Sequence, residues 1–223
     1  MTGGSTAPAP SRSRWILWVL VALAIGALAF AIGRFSTFAP AASVALPGTS
    51  SPEAGFARDM QVHHTQAIEM AMEIYRKTDD EELRILSYDI ATAQASQKGE
   101  MYDWLVKWGL PQSGGPMMQW MQDADGHAHG DGGVLTAEEA RVAMGMASNA
   151  ELADLSAATG NEADCLFLDL MIRHHQGAIP MAEALLDLGS EERALAVAQS
   201  MKTGQTAEID AMQAMQSRLA CTD

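Results

Sequence analysis

The chain contains one stretch twice, and this duplication limits the folds that it can adopt. Residues 56–75 read FARDMQVHHTQAIEMAMEIY, and residues 167–186 read FLDLMIRHHQGAIPMAEALL. A shift of 111 positions aligns the two without a gap and superimposes a Met-x-x-His-His core followed by Ala-Ile-x-Met. Ungapped self-similarity of this length indicates a duplicated supersecondary unit.

Each copy is the first helix of a predicted helical hairpin. The first hairpin is expected over about 55–108, with a capping box at its turn that begins at Thr78. The second is expected over about 161–219, with its turn between Gly189 and Ser190. No segment shows the period-two alternation of a strand. Two equal hairpins predict an all-α fold, an antiparallel four-helix bundle with a pseudo-two-fold axis.

The segment between the hairpins is expected to cross the bundle or cap it. A short helix is expected around 116–123, followed by an exposed loop rich in Gly and Asp. A second capping box, from Thr136 to Glu139, predicts a helix to about residue 147. Another short helix is expected to end near residue 158.

The first fifty residues do not resemble a globular domain. An apolar run, WILWVLVALAIGALAFAI, follows Arg12 and Arg14, which favour a cytoplasmic N-terminus. At 1.5 Å per residue it extends about 27 Å as a helix, near the thickness of a hydrocarbon core. We therefore predict a single-pass anchor, with a cleaved signal peptide as the alternative. The predicted domains are residues 1–14 (cytoplasmic N-terminus), 15–33 (transmembrane anchor), 34–54 (flexible linker) and 55–220 (bundle, on the extracytoplasmic side).

The net charge of −14 limits the partners of the chain. Three of its 14 basic residues, Arg12, Arg14 and Arg34, precede the first acidic residue, so the predicted bundle is more acidic than the whole chain. This balance disfavours nucleic acid and favours cations or basic proteins, although a surface that only confers solubility has the same composition.

Two cysteines, Cys165 and Cys221, lack the spacing of a metal or redox motif. The first lies just before the second His-His helix and the second follows the last helix. If these helices are antiparallel, the two ends meet, and a disulfide is feasible in an oxidising compartment. The alternative is two unrelated thiols.

The repeated histidines and methionines form a candidate metal site. Residues at spacings of three and four share one helix face, which aligns Met60, His63 and Met70 in the first copy. Thioether is a soft ligand and imidazole a borderline one, so together they select copper, Cu(I) above all. The alternative is a buried polar core with methionine as filler. The candidate ligands are Met60, His63, His64, Met70, Met171, His174, His175 and Met181.

The partner helices carry polar groups on an otherwise apolar stripe, and buried polar groups need partners. The simplest partners are the histidines on the other helix of each hairpin. Such contacts would orient the imidazoles around a metal ion. The residues of this stripe are Gln94, Gln97 and Met101 in the first hairpin and Gln205, Glu208 and Met212 in the second.

The linker carries a second cluster of the same residue types. Its His-x-His and Met-Met-x-x-Met spacings are suited to copper or another transition metal on a flexible segment. A polar loop with incidental methionines is an equal alternative. The residues are Met117, Met118, Met121, His127 and His129.

Enzyme motifs are weak in this sequence. Di-iron bundle enzymes need a Glu-x-x-His motif, but Met60 and Met171 stand three residues before His63 and His174. No nucleophile elbow, phosphate loop or zinc-protease motif occurs. A redox enzyme that uses the same metal, such as a cuprous oxidase, is therefore only an alternative interpretation.

The two copies resemble a known family. The patterns F-x-x-x-M-x-x-H-H-x-x-A-I-x-M and L-F-L-D-L-M-I-R-H-H-Q-G-A-I-P-M-A are similar to those of domain of unknown function 305, over about residues 54–217. The resemblance implies a ferritin-like bundle, exported or membrane-anchored, and copper binding through Met and His in some members. The first copy departs from the second at two positions of this pattern. Thr65 stands where the second copy has Gln176, and Glu69 stands where it has Pro180.

The sequence thus predicts a membrane-anchored, extracytoplasmic protein that sequesters or delivers copper without catalysis. Metal ions are its expected partners, together with a copper-handling protein. The main alternative is a bundle with structural histidines, whose acidic face docks another protein.

Overall fold

The computed structural model describes residues 12–36, 46–121 and 135–221. Within these ranges every regular element is a helix. The chain divides into two compact units, residues 1–45 and 46–223. The first unit contains helix α1 (Arg12–Ser36), and the second contains the other helices.

Helix α1 is long and apolar enough to cross a membrane. The candidate span is Arg14–Arg34, whose mean hydropathy is 2.6. Its 21 residues extend about 31 Å as a helix, close to the thickness of a hydrocarbon core. The predicted anchor over 15–33 lies inside this span. A signal sequence near the N-terminus has the same properties, so length and composition fit both interpretations.

Two hairpins of long helices form the second unit. The helices are α2 (Pro52–Lys77), α3 (Glu81–Lys107), the short α4 (Ala137–Ala143) and α5 (Asn149–Ala157), α6 (Gly160–Leu188) and α7 (Glu192–Arg218). Helix α2 packs along α3, α6 packs along α7, and α2 packs against α6. The predicted all-α fold of two hairpins and an N-terminal apolar helix is therefore confirmed.

The helix ends differ in detail from the prediction. Thr78 closes α2 and does not cap α3; the side chain of Asp80 caps α3 by accepting from the amide of Leu83. Likewise the side chain of Glu191, and not Ser190, caps α7. In both turns two capping residues stand close together, and local sequence does not distinguish which one the tertiary packing selects.

The linker is less helical than expected. In the described part of the predicted helix around 116–123, residues 116–121, the regular structure is a single 3-10 turn, Gln119–Met121. The capping box from Thr136 to Glu139 is present, but α4 ends at Ala143 and does not reach 147. It ends because Gly145 has a φ of 70°, a left-handed conformation that stops a helix.

Each hairpin turn is tied to an end of the other hairpin. Asp80, in the α2–α3 turn, accepts two hydrogen bonds from Arg218 at the end of α7, at 2.7 and 2.8 Å. Glu53, at the start of α2, accepts from the backbone amides of Ser190 and Glu191 in the α6–α7 turn. These contacts join the two hairpins at both ends of the bundle.

The apolar core consists of two clusters. One contains Met60 of α2 and Met181 of α6, and the other contains Met70 and Met171. Residue numbers rise along α2 and fall along α6 between the same two clusters, so the two helices are antiparallel. The paired histidines of each helix therefore lie between the clusters, at the centre of the bundle.

A disulfide joins Cys165 in α6 to Cys221 after α7, with the Cα atoms 5.5 Å apart. The antiparallel hairpin brings these two ends together, as expected from the sequence. The bond closes a long loop, because the two cysteines are 56 residues apart.

Replacement of Cys165 and Cys221 by serine should lower the free energy of unfolding by about 2–4 kcal/mol. Without the cross-link the unfolded chain has more conformational freedom, so unfolding becomes more favourable. Urea unfolding of the metal-free protein measures this change. Wild-type protein treated with a thiol reductant is the matched control and should lose the same amount. An unchanged unfolding midpoint in both would contradict the prediction.

Candidate metal centre

Four buried imidazoles meet where α2 crosses α6. His63, His64, His174 and His175 are all 0% exposed. The rings of His63 and His174 pack against each other, with centroids 3.6 Å apart and planes inclined by 31°. Because consecutive helical residues point about 100° apart, the neighbouring histidines turn outward from this inner pair, with ring centroids 6.3 and 6.4 Å from it.

The two outer histidines bind the partner helix of their own hairpin. The Nε2 of His64 lies 2.8 Å from the Oε1 of Gln97, and the Nε2 of His175 lies 2.6 Å from the Oε2 of Glu208. Gln97 and Glu208 occupy equivalent positions under the 111-residue shift, so one outer histidine binds an amide and the other a carboxylate. These contacts agree with the partners expected from the sequence.

The other two polar residues of the partner helices do not bind histidine. Gln94 is 3% exposed, and neither its amide nitrogen nor its amide oxygen has a hydrogen-bond partner. The amide oxygen of Gln205 is also unpaired, and this side chain is 5% exposed. Met101 and Met212, on the same stripes, are fully buried in the apolar clusters.

A backbone carbonyl of the linker binds His63. The Nε2 of His63 donates to the carbonyl oxygen of Met144 at 3.0 Å. The linker approaches so closely because of two glycines: a Cβ on Gly177 of α6 would overlap the Met144 carbonyl, and one on Gly145 would overlap the carbonyl of Arg173. This contact was not predicted from the sequence, although Gly177, two residues after the second His-His pair, is a signal for close backbone approach.

Gln66 fixes the linker beside this contact. Its side-chain amide donates to the carbonyl of Ala147 at 2.8 Å, and its side-chain oxygen accepts from the amide of the same residue at 2.7 Å. Both hydrogen bonds are buried. The linker is therefore held next to the inner histidine pair by a side chain one turn from His63.

The hydrogen bonds determine which histidine nitrogens are free. A carbonyl or carboxylate oxygen only accepts, so His63, His64 and His175 donate from Nε2, and each keeps an unpaired lone pair on Nδ1. Neither nitrogen of His174 has a hydrogen-bond partner. Five imidazole nitrogens are thus buried without a partner, which is costly in a structure without a ligand.

Burial keeps the imidazoles neutral. Loss of solvation lowers the pKa of His63 to about 4 and that of His64 to about 3, and it holds the pKa of His174 well below its usual range. The neutral form is the one that ligates a metal ion. At neutral pH no proton has to leave these three rings before an ion binds.

The methionines lie at two distances from the histidine layer. Met60 and Met171 are one helical turn, or about 4.5 Å along the axis, from the histidine of the same helix. Met70 and Met181 are two turns, or about 10.5 Å, away. All four are buried. The inner methionines are therefore better placed as ligands than the outer ones.

The linker methionines pack at the end of the first apolar cluster. Met117, Met118 and Met121 are partly buried there. The segment is attached through Asp59, whose carboxylate accepts from the amide of Met118 at 2.7 Å and from the Nε1 of Trp120 at 2.9 Å. His127 and His129 lie outside the described residues.

Asp59 was not identified from the sequence. It is 7% exposed on α2, and burial raises the pKa of its carboxyl group although two hydrogen bonds oppose the shift. Trp120 lies over Gly55 and meets the ring of Phe56 edge to face, with centroids 5.9 Å apart. The sequence does contain a signal that could have identified Asp59, namely an acidic residue on a buried helix face one turn after a glycine.

The residue types fit a soft transition metal, although no complete ligand set is preformed. Within the described ranges, no three His, Cys, Asp or Glu side chains form a group that could hold a metal ion. The inner rings face each other, so an ion shared by them requires the rings to turn. Unpaired imidazole nitrogens and neighbouring thioethers are nevertheless the donors that copper prefers.

Comparison with known proteins gives one family and several solved structures. The family model described as domain of unknown function (DUF305) matches residues 53–216. A candidate secreted DUF305 protein from Streptomyces coelicolor is 36% identical, with a TM-score of 0.68, over 78% of this chain and 95% of that one. A DUF305 fragment from Deinococcus radiodurans is 32% identical, with a TM-score of 0.61, over 75% and 96%.

A third solved structure, CopM in a Cu(II)-bound form, is 26% identical, with a TM-score of 0.56, over 75% of this chain and 97% of that one. No curated protein matches the chain. The resemblance noted in the sequence is confirmed, because the family model covers most of the chain and its similarity extends through both hairpins. The chain belongs to the DUF305 family.

Proposed function

We propose that the protein binds copper inside the bundle and holds it for sequestration or delivery. The proposed ligands are the inner imidazoles of His63 and His174 and the thioethers of Met60 and Met171. The observation that carries the proposal is the set of five buried imidazole nitrogens without a hydrogen-bond partner. Such groups destabilise the folded chain, and a bound ligand that pairs with them offsets this effect.

The donor chemistry supports copper over harder ions. Imidazole is a borderline ligand and thioether a soft one, and this combination favours Cu(I) over calcium, magnesium or manganese. Gln97 and Glu208 would then orient the outer imidazoles through their Nε2 atoms, as partners of metal-binding histidines do. The Cu(II)-bound relative CopM, at 26% identity, supports copper as the metal.

The proposed location is the extracytoplasmic side of the cell membrane, with α1 as a single-pass anchor and its N-terminus inside. Two observations support this. Helix α1 is apolar over Arg14–Arg34, and Cys165 and Cys221 form a disulfide, which persists in oxidising compartments. The relative from Streptomyces coelicolor is described as a candidate secreted protein.

A purely structural role for the histidines is the main alternative. The hydrogen bonds of His64 to Gln97 and of His175 to Glu208 favour it. It does not explain His174, which is fully buried and has no partner at either ring nitrogen. A structural core would be more stable with an apolar side chain at that position.

Titration with Cu(I) in competition with a coloured chelator tests the proposal on the full chain. Replacement of both inner methionines, Met60 and Met171, by leucine should weaken Cu(I) binding at least about tenfold, because thioether ligands are lost. Leucine is close to methionine in volume, so the bundle should remain folded.

The matched control is the double replacement of the outer methionines, Met70 and Met181, by leucine. These residues lie one turn farther from the histidines, so this variant should bind Cu(I) like the wild type. Absence of copper binding by the wild-type protein under reducing conditions would refute the proposed function. Equal binding by both double variants would refute the choice of ligands.

A further inference from the structure

An ion that binds the histidines must first reach them, because all four imidazoles are fully buried. A small cavity of about 30 Å³ opens between α3 and α7, on the side of the bundle away from the α2–α6 contact. This volume is close to that of one water molecule. Ion pairs join the two helices toward their ends, between Arg193 and Glu100 and between Arg218 and Glu82, whereas the cavity lies between these pairs.

The mouth of the cavity is lined by small residues and its floor by polar ones. Ala93, Ser200 and Gly204 lie at the exposed rim. Gln94 and Gln205 are buried beneath them and keep unpaired amide atoms. The two glutamines are equivalent under the 111-residue shift, so each hairpin contributes one. A buried amide without a hydrogen-bond partner destabilises the folded protein unless a water molecule or an ion binds it.

Two residues connect the cavity to the histidine layer. Gln97 and Glu208 line its sides, and each holds the Nε2 of an outer imidazole, His64 or His175. The carboxylate side chain of Glu208 is 26% exposed, whereas its histidine partner is 0% exposed. The cavity is therefore open to solvent on one side, and on the other side two of its lining residues hydrogen-bond to the outer histidines of the buried layer.

The two walls of the cavity differ in their affinity for cations. Under the 111-residue shift, Glu208 of α7 replaces Gln97 of α3, and Met201 of α7 replaces Ile90 of α3. Helix α7 thus lines the cavity with a carboxylate and a buried thioether, whereas α3 contributes an amide, and Ile90 does not reach the cavity lining. A carboxylate attracts a cation, and a thioether favours a soft one.

We propose that this α3–α7 cavity is the access route by which a soft metal cation passes from solvent to the histidine layer, guided by Glu208 and Met201. The inference rests on the proposed copper function and adds the path and the residues that control the rate. It requires that narrowing the mouth slows loading without changing the affinity at equilibrium.

Replacement of Gly204 by leucine tests the route. Open space surrounds the position of a Cβ there, so the variant should fold. A helical leucine points back over the preceding turn and would cover Ser200 and Met201. Rapid-mixing measurements with Cu(I) or Ag(I) on the full chain should show loading slowed at least about tenfold, at unchanged final stoichiometry.

The matched control is Gly99→Leu, which makes the same change at an exposed glycine of α3 with open space around it and outside the cavity. This variant should load at the wild-type rate. Wild-type loading in Gly204→Leu, or equal slowing in both variants, would overturn the route. Absence of metal binding by the wild type would instead refute the proposed function, so the two failures are distinguishable.

A readout without metal gives a second test. The ring C2 hydrogen of histidine exchanges slowly with solvent deuterium, which requires only that water reaches the ring, and peptide mass spectrometry locates the exchanged residues. His64 and His175, which lie behind the cavity walls, should exchange more slowly in Gly204→Leu than in Gly99→Leu. Equal rates of exchange in the two variants would contradict an open path through this cavity.

Discussion

His174→Leu should weaken Cu(I) binding about 100-fold and yet stabilise the metal-free protein by about 1–2 kcal/mol. The first effect is expected because the variant removes one of the two inner imidazoles. The second is expected because leucine removes two buried ring nitrogens that have no hydrogen-bond partner. Chelator competition measures the affinity, and urea unfolding of the metal-free protein measures the stability.

The same change at the other inner histidine should have a different effect on stability. His63→Leu also removes a ligand, but it leaves the carbonyl oxygen of Met144 without its donor. An unpaired buried carbonyl costs about 1–3 kcal/mol, so this variant should be less stable than His174→Leu. Both variants should lose affinity for Cu(I). The difference between their free energies of unfolding then reports the contribution of the hydrogen bond between His63 and the Met144 carbonyl.

Two results would contradict this pair of predictions. Wild-type affinity in His174→Leu would exclude that imidazole as a ligand. A loss of stability in His174→Leu would show that the ring has a structural role, and the alternative of a satisfied polar core would then be favoured. Stability gained by removal of a functional group is common at binding sites, where function opposes the optimum of folding.

The duplication allowed most of the fold to be predicted from the sequence. Once residues 56–75 and 167–186 are recognised as copies, each must be the same helix of an equivalent hairpin. Equivalent hairpins then determine the antiparallel packing of the bundle. The helical spacing also indicates that His63 and His174 share a face with Met60 and Met171. The burial of these side chains follows from the same periodicity.

The sequence could not determine contacts between segments that are far apart in the chain. Met144 binds His63 across 81 residues, and Asp59 binds Trp120 across 61. Periodicity within one helix carries no information about which loop reaches that helix or at what height. The choice of Asp80 over Thr78 as a helix cap has the same origin, because Arg218 from the other hairpin binds the carboxylate.

Divergence between the two copies distinguishes the surroundings of the two halves of the proposed site. The shared residues specify one hairpin twice, whereas the differences make the two halves unequal. Glu208 opposite Gln97 brings a carboxylate to one outer histidine, and Met201 opposite Ile90 brings a thioether to one wall of the cavity. Both differences lie on α7. The asymmetry of the proposed access route therefore arises from one helix.

Gly177→Ala should destabilise the protein by about 3 kcal/mol, although alanine is the better helix former. The reason is steric: a Cβ at this position would overlap the carbonyl of Met144 and the amide nitrogen of Gly145. Both are backbone atoms, held by the hydrogen bonds of Gln66 to Ala147, so they cannot move aside as a flexible side chain would. Urea unfolding of the metal-free protein measures the loss.

The matched control is Gly99→Ala, on a helix where open space surrounds the new methyl group. This variant should gain about 0.5–1 kcal/mol from helix propensity alone. Because the displaced Met144 carbonyl also binds His63, Gly177→Ala should further weaken Cu(I) binding about tenfold, as loss of an orienting partner does. A stability gain like that of Gly99→Ala would show that the linker does not press against α6 at this position, and the orientation assigned to His63 would fail with it.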